Sequence, residues 1–206
     1  GITEEQCAKV VVKNRGNAIF NPYTHIRKRV SLEDVMSSDR IYDPLKALEC
    51  APKSDGVVSV LVASEDRAKK LTDKPIWLSG YGCSLDHFIP GDRDLLDGQL
   101  KVAAKRAYEM AGIGDPRKSI DAAEVCEPYA FQELLWCEQL GFCKEGEGGK
   151  LIDSGITQMD GSLPVNPSGG VLAMNPYTSR GLYRIAEATL QLKGQAGEHQ
   201  VGKKVK

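Results

Sequence analysis

The chain has 206 residues and a mass of 22.4 kDa, with 41% hydrophobic and 27% charged residues; this ordinary globular composition can bury a core and excludes wholesale disorder. A net charge of -1, from 27 Lys and Arg against 28 Asp and Glu, creates no whole-chain field to gather phosphate backbones or anionic lipid, which excludes nucleic acid as the main partner. No apolar run approaches the ~20 residues that span a bilayer, and GITEEQCAKV lacks the regions of a signal peptide, so the expectation is a soluble, cytoplasmic protein with no membrane span.

Thr3-Glu4-Glu5-Gln6 has the form of a capping box and predicts a helix through about Asn17, and Ser31-Leu32-Glu33-Asp34 predicts a second, shorter one. Between them NPYTHIRKRV reads as a basic loop suited to surface or phosphate contact, with His25 solvated. GVVSVLVAS (56–64) is a β-branched run of strand length, Ser64-Glu65-Asp66 opens a helix to about Leu71, and PIWLSGYG (75–82) is a second strand candidate.

Leu100, Ala103, Ala104, Ala107, Tyr108 and Ala111 repeat at the spacing of one helical face. IDAAEVCEPY (120–129) reads as a strand ending in a polar cluster. AFQELLWCEQLGF resumes as a helix to the Gly141 region, with Glu133 and Glu138 expected to be solvated. EGEGG (145–149) is expected to be a solvated loop. Leu182, Ile185, Ala186 and Leu190 mark a last helix that stops near Gly194. Strand and helix in alternation imply an α/β layered domain with helices packed on a sheet.

Six cysteines (Cys7, Cys50, Cys83, Cys126, Cys137 and Cys143) form no CxxC pair and have no His at zinc-ligand spacing, so no metal site is expected and most should be small buried thiols. Functional residues in layered sheets gather at strand ends and strand-to-helix loops. Three loops qualify: GYGCSLDHFIPGDRD, VCEPYAF and NPSGGVLAMNPYTSRG. In the last, Gly169 and Gly170 permit close backbone approach, and the Asn175-Pro176-Tyr177 that follows leads into the final helix.

PKSDGVVSVLVASEDRAKKL, EVCEPYAFQELLW, VNPSGGVLAMNP and AGEHQV, in that order and spacing, resemble the C-terminal half of a thiolase-superfamily protein. The likeness is to the sterol-carrier-type and archaeal thiolases and to thiolase-like acyl-CoA lyases and aldolases. It implies a thiolase-like layered fold with helices on a mixed sheet. Residues 1–55 would be a linker or loop-domain segment, and 56–206 a C-terminal domain lacking its last strands. The resemblance also implies carbon–carbon bond cleavage or formation next to a CoA thioester, with coenzyme A as substrate or product and no bound cofactor. The expected partners are an acyl-CoA, a second copy of the chain or the absent N-terminal half with its nucleophilic cysteine, and a small OB-fold, zinc-ribbon subunit.

Under that resemblance Cys126-Glu127-Pro128-Tyr129 falls on the family's Asn-Glu-Ala-Phe or His-Asp-Cys-Phe motif. Gly169, Gly170 and Asn175-Pro176 fall on its Gly-Gly and Gly-His-Pro elements, with one residue fewer between them. An asparagine amide can donate to an oxyanion but does not titrate near neutral pH. Asn175 thus keeps an electrostatic role or serves only as a helix N-cap. Cys126, Tyr129, Tyr177 and His87 are the local candidates for proton transfer, Cys126 and the tyrosines having packing as the alternative. Phe88 joins His87 as a substrate-contact candidate, and His199 is expected to be structural or at a subunit contact. Three functions stay open: a thiolase-like acyltransferase that is inactive as an isolated chain, a retro-aldol lyase with a tyrosine acid/base, and a non-catalytic subunit or scaffold.

Overall fold

A computed structural model of the chain describes residues 1–94 and 96–206. Helix α1 (Glu4–Ala18) starts at the predicted capping box, where Thr3 Oγ1 accepts the Gln6 N–H at 3.2 Å and Gln6 Oε1 accepts the Thr3 N–H at 3.0 Å. The same reciprocal pair, Ser31 with Asp34, opens α2 (Leu32–Met36). α1 is buried on more than one side, since Lys13, Asn14, Arg15 and Asn17 are inside along with Ala8, Val10, Val11 and Ala18. Burial of so many polar side chains obliges the surrounding elements to supply partners.

Those elements are α2, α6 (Ala130–Gln139) and α7 (Gly148–Asp153), which all pack on α1. Val10, Val11, Val35, Ala130, Leu134, Ile152 and Leu172 meet Ala8 in one apolar cluster. Val125, Cys137, Phe142, Leu151, Leu163 and Val165 form a second beneath α6 and α7. α3 (Glu65–Leu71), α4 (Gln99–Ala111) and α8 (Arg180–Lys193) lie where the sequence predicts them, and α5 (Pro116–Ser119) is an added turn. α4 and α8 end at Gly112 and Gly194, both with positive φ, which closes the last turn without a Cβ clash.

The strand predictions need correction. Residues 56–64 and 75–82 are not paired into a ladder, and Val57 is 90% exposed and Leu61 85%. A β-branched run favours extension, but a strand is completed only by a neighbour that takes its N–H and C=O groups. The one ladder among the described residues is a hairpin of β1 (Arg40–Tyr42) and β2 (Leu45–Lys46) that the sequence reading did not anticipate. Residues 120–129 pair only at isolated bridges, Ala123 parallel to Val165 and Tyr129 antiparallel to Cys50, so the chain's pairing is mixed in direction.

EGEGG is also more ordered than a solvated loop. Gly148 and Gly149 are buried at the start of α7. A Cβ at 148 would lie 2.5 Å from the Leu134 carbonyl, so that glycine is required by close packing against backbone, and one at 149 would meet the end of the Gln6 side chain. Glu138 accepts the Gly148 N–H at 2.7 Å.

Candidate functional site

The Gly-Gly loop is held by buried carboxylates. Glu124 accepts the Ser168 N–H at 2.9 Å and its hydroxyl at 2.7 Å, and Arg184 binds both Glu124 (2.6 Å) and Ser168 Oγ (2.7 Å). Glu127 Oε1 accepts the Leu172 N–H at 3.2 Å. Asn21 donates to the Ser168 carbonyl and to Glu187, whose other oxygen meets His199 Nε2 at 3.0 Å. His199 is thus structural, as expected. Gly169 and Gly170 have φ of 99° and 67°. Cβ atoms there would lie 2.7 Å from Ala18 Cβ and 2.1 Å from Glu127 Oε1, so the loop backbone rests directly on α1 and on Glu127.

A second polar layer lies under the first. Lys13 Nζ pairs with Glu133 Oε1 at 2.7 Å, the two side chains being 0% and 1% exposed, and also donates to the Val165 carbonyl at 2.6 Å. Asn14 and Asn166 each donate to Glu133 Oε2 at 2.8 Å, and Asn14 reaches Glu127 Oε1 at 3.2 Å. Asn166, at a positive φ of 55°, takes the Val125 N–H on its amide oxygen. The expectation that Glu133 is solvated is therefore overturned: its helix face is turned inward, and α1 supplies the cation that burial of a carboxylate demands.

Burial, then the nearby negative charge of Glu133, pushes the Glu127 carboxyl up to about 8 from an ordinary 4.5, against the opposing pull of Arg184. The fold thus retains a proton that the unfolded chain loses above about 4.5. Stability should fall as pH rises from there to about 8 and level beyond, because the folded state binds more protons throughout that window. Burial shifts Glu124 the same way and adds to the slope. Calorimetry between pH 5 and 9 is expected to show the melting temperature falling with pH, and Glu127→Gln should flatten part of that fall. An unchanged slope in Glu127→Gln would mean that Glu127 is ionised in the fold.

The two motif loops are joined by the extended segment 50–54. Cys50 bridges Tyr129, the Ala51 N–H bonds the Pro128 carbonyl at 2.9 Å, and Ser54 and Asn175 exchange two bonds: Ser54 N–H to the Asn175 carbonyl and Asn175 N–H to Ser54 Oγ, each 3.1 Å. Asn175 is 7% exposed, and its Oδ1 is buried without a partner among the described residues. It does not cap α8, whose N-cap is Ser179, so that alternative is removed.

Burial raises the Cys126 thiol above its ordinary value, with Arg180 opposing; near neutral pH it is a weak donor rather than a base. Tyr129 is exposed and stacks on Phe131 at 6.1 Å, and Tyr177 is exposed with the Arg180 guanidinium 5.5 Å over its ring. His87 and Phe88 lie in an exposed loop, Phe88 at 95%, and the hydrogen bonds of His87 are backbone ones to Asp86 and Arg93. The described contacts do not join either residue to the two motif loops. His25 is exposed, as read, and places Nδ1 2.9 Å from Ser54 Oγ. The cysteines are all free thiols, but only Cys137 is fully buried and Cys83 is exposed.

Residues 84–205 match the thiolase C-terminal domain-like family. The chain belongs to the thiolase superfamily. The acetyl-CoA acetyltransferase of Methanothermobacter thermautotrophicus is 38% identical over 206 residues, covering 98% of this chain and 53% of that protein. Sterol carrier protein 2 of Oryctolagus cuniculus is 36% identical over 209 residues, covering 98% of this chain and 38% of that protein. Among solved structures, an Ltp2-ChsH2(DUF35) aldolase superposes with a TM-score of 0.82 at 28% identity, covering 98% of this chain and 53% of that one. The chain spans about half the length, or less, of these relatives. The α/β thiolase-like fold expected from the motifs is thereby met.

Within the thiolase frame, sequence reasoning named the loop and its two motifs but not the residues that hold them. Glu124, Lys13, Asn14, Asn166 and Arg184 went unassigned, Glu127 was named only as part of its motif, and Glu133 was expected to be solvated. One signal was available: Lys13-Asn14 follows Val10-Val11 on a helix, so any inward face of α1 had to carry polar groups. Ser54 and His25, 29 residues apart, offered none.

Proposed function

We propose that the protein breaks or forms a carbon–carbon bond next to a CoA thioester by retro-aldol chemistry, with coenzyme A entering as part of the substrate. The observation that carries this reading is Asn175, a nearly buried amide with an unmatched oxygen beside the Gly-Gly loop. An unmatched buried polar group costs about 1–3 kcal/mol, which a complementary ligand would recover. A half-turn about χ2 exchanges the amide oxygen and N–H2, so the same side chain can present a donor to an oxyanion. It supplies charge stabilisation without a titrating group, which suits an aldol reaction better than acyl transfer through an enzyme nucleophile. The likeness to an aldolase supports the same choice.

In the reaction a base removes the proton of the substrate's β-hydroxyl, and the bond between the α and β carbons breaks to release an aldehyde. The electron pair becomes the thioester enolate, whose oxygen Asn175 and the loop hold. An acid then protonates the α carbon. Tyr129 and Tyr177 are the candidates for the first exchange. The related aldolase bears the names of two components, and on that ground a second subunit is proposed here too. Thiolytic acyl transfer is the second reading, favoured by the 38% identity to an acetyl-CoA acetyltransferase.

The test uses the full-length protein and a 3-hydroxyacyl-CoA, following aldehyde release. Asn175→Ala should lower kcat by on the order of 10²–10³ with a modest change in KM. Either Tyr129→Phe or Tyr177→Phe should abolish turnover. Turnover indifferent to all three changes, or activity seen only as thiolysis of a 3-ketoacyl-CoA by free CoA, would remove the aldol reading.

A further inference from the structure

The aldol reading leaves one proton without a source, the one that returns to the α carbon of the enolate. Asn175 cannot deliver it, because its carboxamide does not titrate near neutral pH. The group nearest to Asn175 by hydrogen bonding is Ser54. Its Oγ accepts the backbone N–H of Asn175 at 3.1 Å and meets His25 Nδ1 at 2.9 Å. Two donors on one hydroxyl oxygen occupy both lone pairs when His25 carries its proton on Nδ1, and this leaves the Ser54 O–H free to point at a third group.

The backbone fixes Ser54 at this place. Its own N–H bonds the Asn175 carbonyl at 3.1 Å. Two residues on, Gly56 lies so close to the Asn-Pro turn that a Cβ there would meet Met174 Cε at 2.7 Å and Pro176 Cβ at 3.3 Å. The histidine is tethered as well, since the next residue's N–H, that of Ile26, bonds the Ala173 carbonyl at 3.0 Å, inside the Gly-Gly loop. The imidazole is exposed on its other side, where solvent can reload it.

We propose that Ser54 is a catalytic residue of this site and His25 its proton source, a pair that rests on the aldol reading above. The Ser54 O–H bond breaks and its proton forms the new C–H bond at the α carbon, while the His25 Nδ1 proton passes to Ser54 Oγ. The enolate's negative charge and the imidazolium's positive charge vanish together, leaving neutral thioester and neutral imidazole, and water reprotonates His25. In the condensation direction the same pair removes the α proton.

The experiment reads the α-carbon step by itself: deuterium uptake into acetyl-CoA in D₂O with the full-length protein, followed by mass spectrometry beside aldehyde release from a 3-hydroxyacyl-CoA. His25→Ala should slow uptake at least 100-fold while acetyl-CoA binding stays within about 3-fold. Added imidazole should restore at least 10-fold, because the site is open to solvent. Ser54→Ala should lose uptake and gain nothing from imidazole, and His25→Gln, which keeps a hydrogen-bonding group but no exchangeable charge, should stay slow. Rescue confined to His25→Ala would support the pair, since a merely structural histidine is not replaced by a solute. Wild-type turnover with uptake unchanged in His25→Ala would overturn the pair and leave the aldol reading standing. Wild-type protein that neither cleaves nor exchanges would sink both.

Discussion

Lys13→Met is expected to destabilise the protein by about 3–5 kcal/mol, because it strips from a fully buried carboxylate the one cation paired with it among the described residues. Glu133 keeps its hydrogen bonds from Asn14 and Asn166, but amide donors do not cancel a charge in a low-dielectric interior. The Val165 carbonyl loses its Lys13 partner in the same step. The loss would be read as a drop in urea midpoint at unchanged slope, and as a melting temperature lower by roughly 10 °C. Lys13→Met combined with Glu133→Gln removes both charges while leaving an acceptor for the two asparagines, and most of the lost stability should return. A single variant within 1 kcal/mol of wild type would overturn the reading of Lys13 as the charge partner that Glu133 needs.

This ion pair also marks where sequence stops being legible. The helices α1, α4 and α8 were predictable because their signals are local: a capping box within four residues, an apolar stripe within three turns, a glycine past the last turn. Lys13 and Glu133 are separated by more than a hundred residues, and no periodicity announces that one will meet the other. The strand candidates failed for a related reason. Val57 and Leu61 have the right chemistry for a strand, but pairing belongs to two segments at once, and neither run finds its partner within the described residues. The Gly-Gly loop stood between these cases. Its composition alone announced a close approach, while what it approaches, Ala18 on one side and Glu127 on the other, had to come from the fold.

The site shows the same division. Asn175 could be named because its motif position is unusual for an amide, and the alternative of a helix cap fell only when α8 was seen to begin five residues later. His25 sits in a basic stretch and reads as solvated, which it partly is. Its connection to Asn175 runs through Ser54, whose hydroxyl is an unremarkable feature of a Lys-Ser-Asp-Gly run until the segment 50–54 is laid between the two motif loops. A candidate proton path of this kind is a property of three non-adjacent chain segments, so residue types at fixed spacing do not reveal it.

Gly170→Val is expected to remove both turnover and much of the fold's stability. A β-branched residue at a φ of 67° is forced into the left-handed region, which costs roughly 1–2 kcal/mol before any contact is made. The first side-chain atom would then stand 2.1 Å from Glu127 Oε1 and 2.9 Å from both Glu127 Cδ and Asn166 Nδ2. Neither neighbour can step aside cheaply: Glu127 is held by the Leu172 N–H and Asn14, and Asn166 by Glu133 and the Val125 N–H. Relief requires the loop to lift, which breaks the Leu172 bond and displaces Asn175 from Ser54. The combined cost should exceed about 4 kcal/mol, in the range reserved for a strained backbone together with a disrupted buried network. Gly170→Ala should fall between wild type and Gly170→Val, and Gly170→Ala with Glu127→Ala should recover the share due to the clash but not the share due to φ. Unfolding curves of the four proteins separate the two contributions. A Gly170→Val protein as stable as wild type would mean that the loop does not rest on Glu127, and the positioning of Asn175 by that layer would have to be given up.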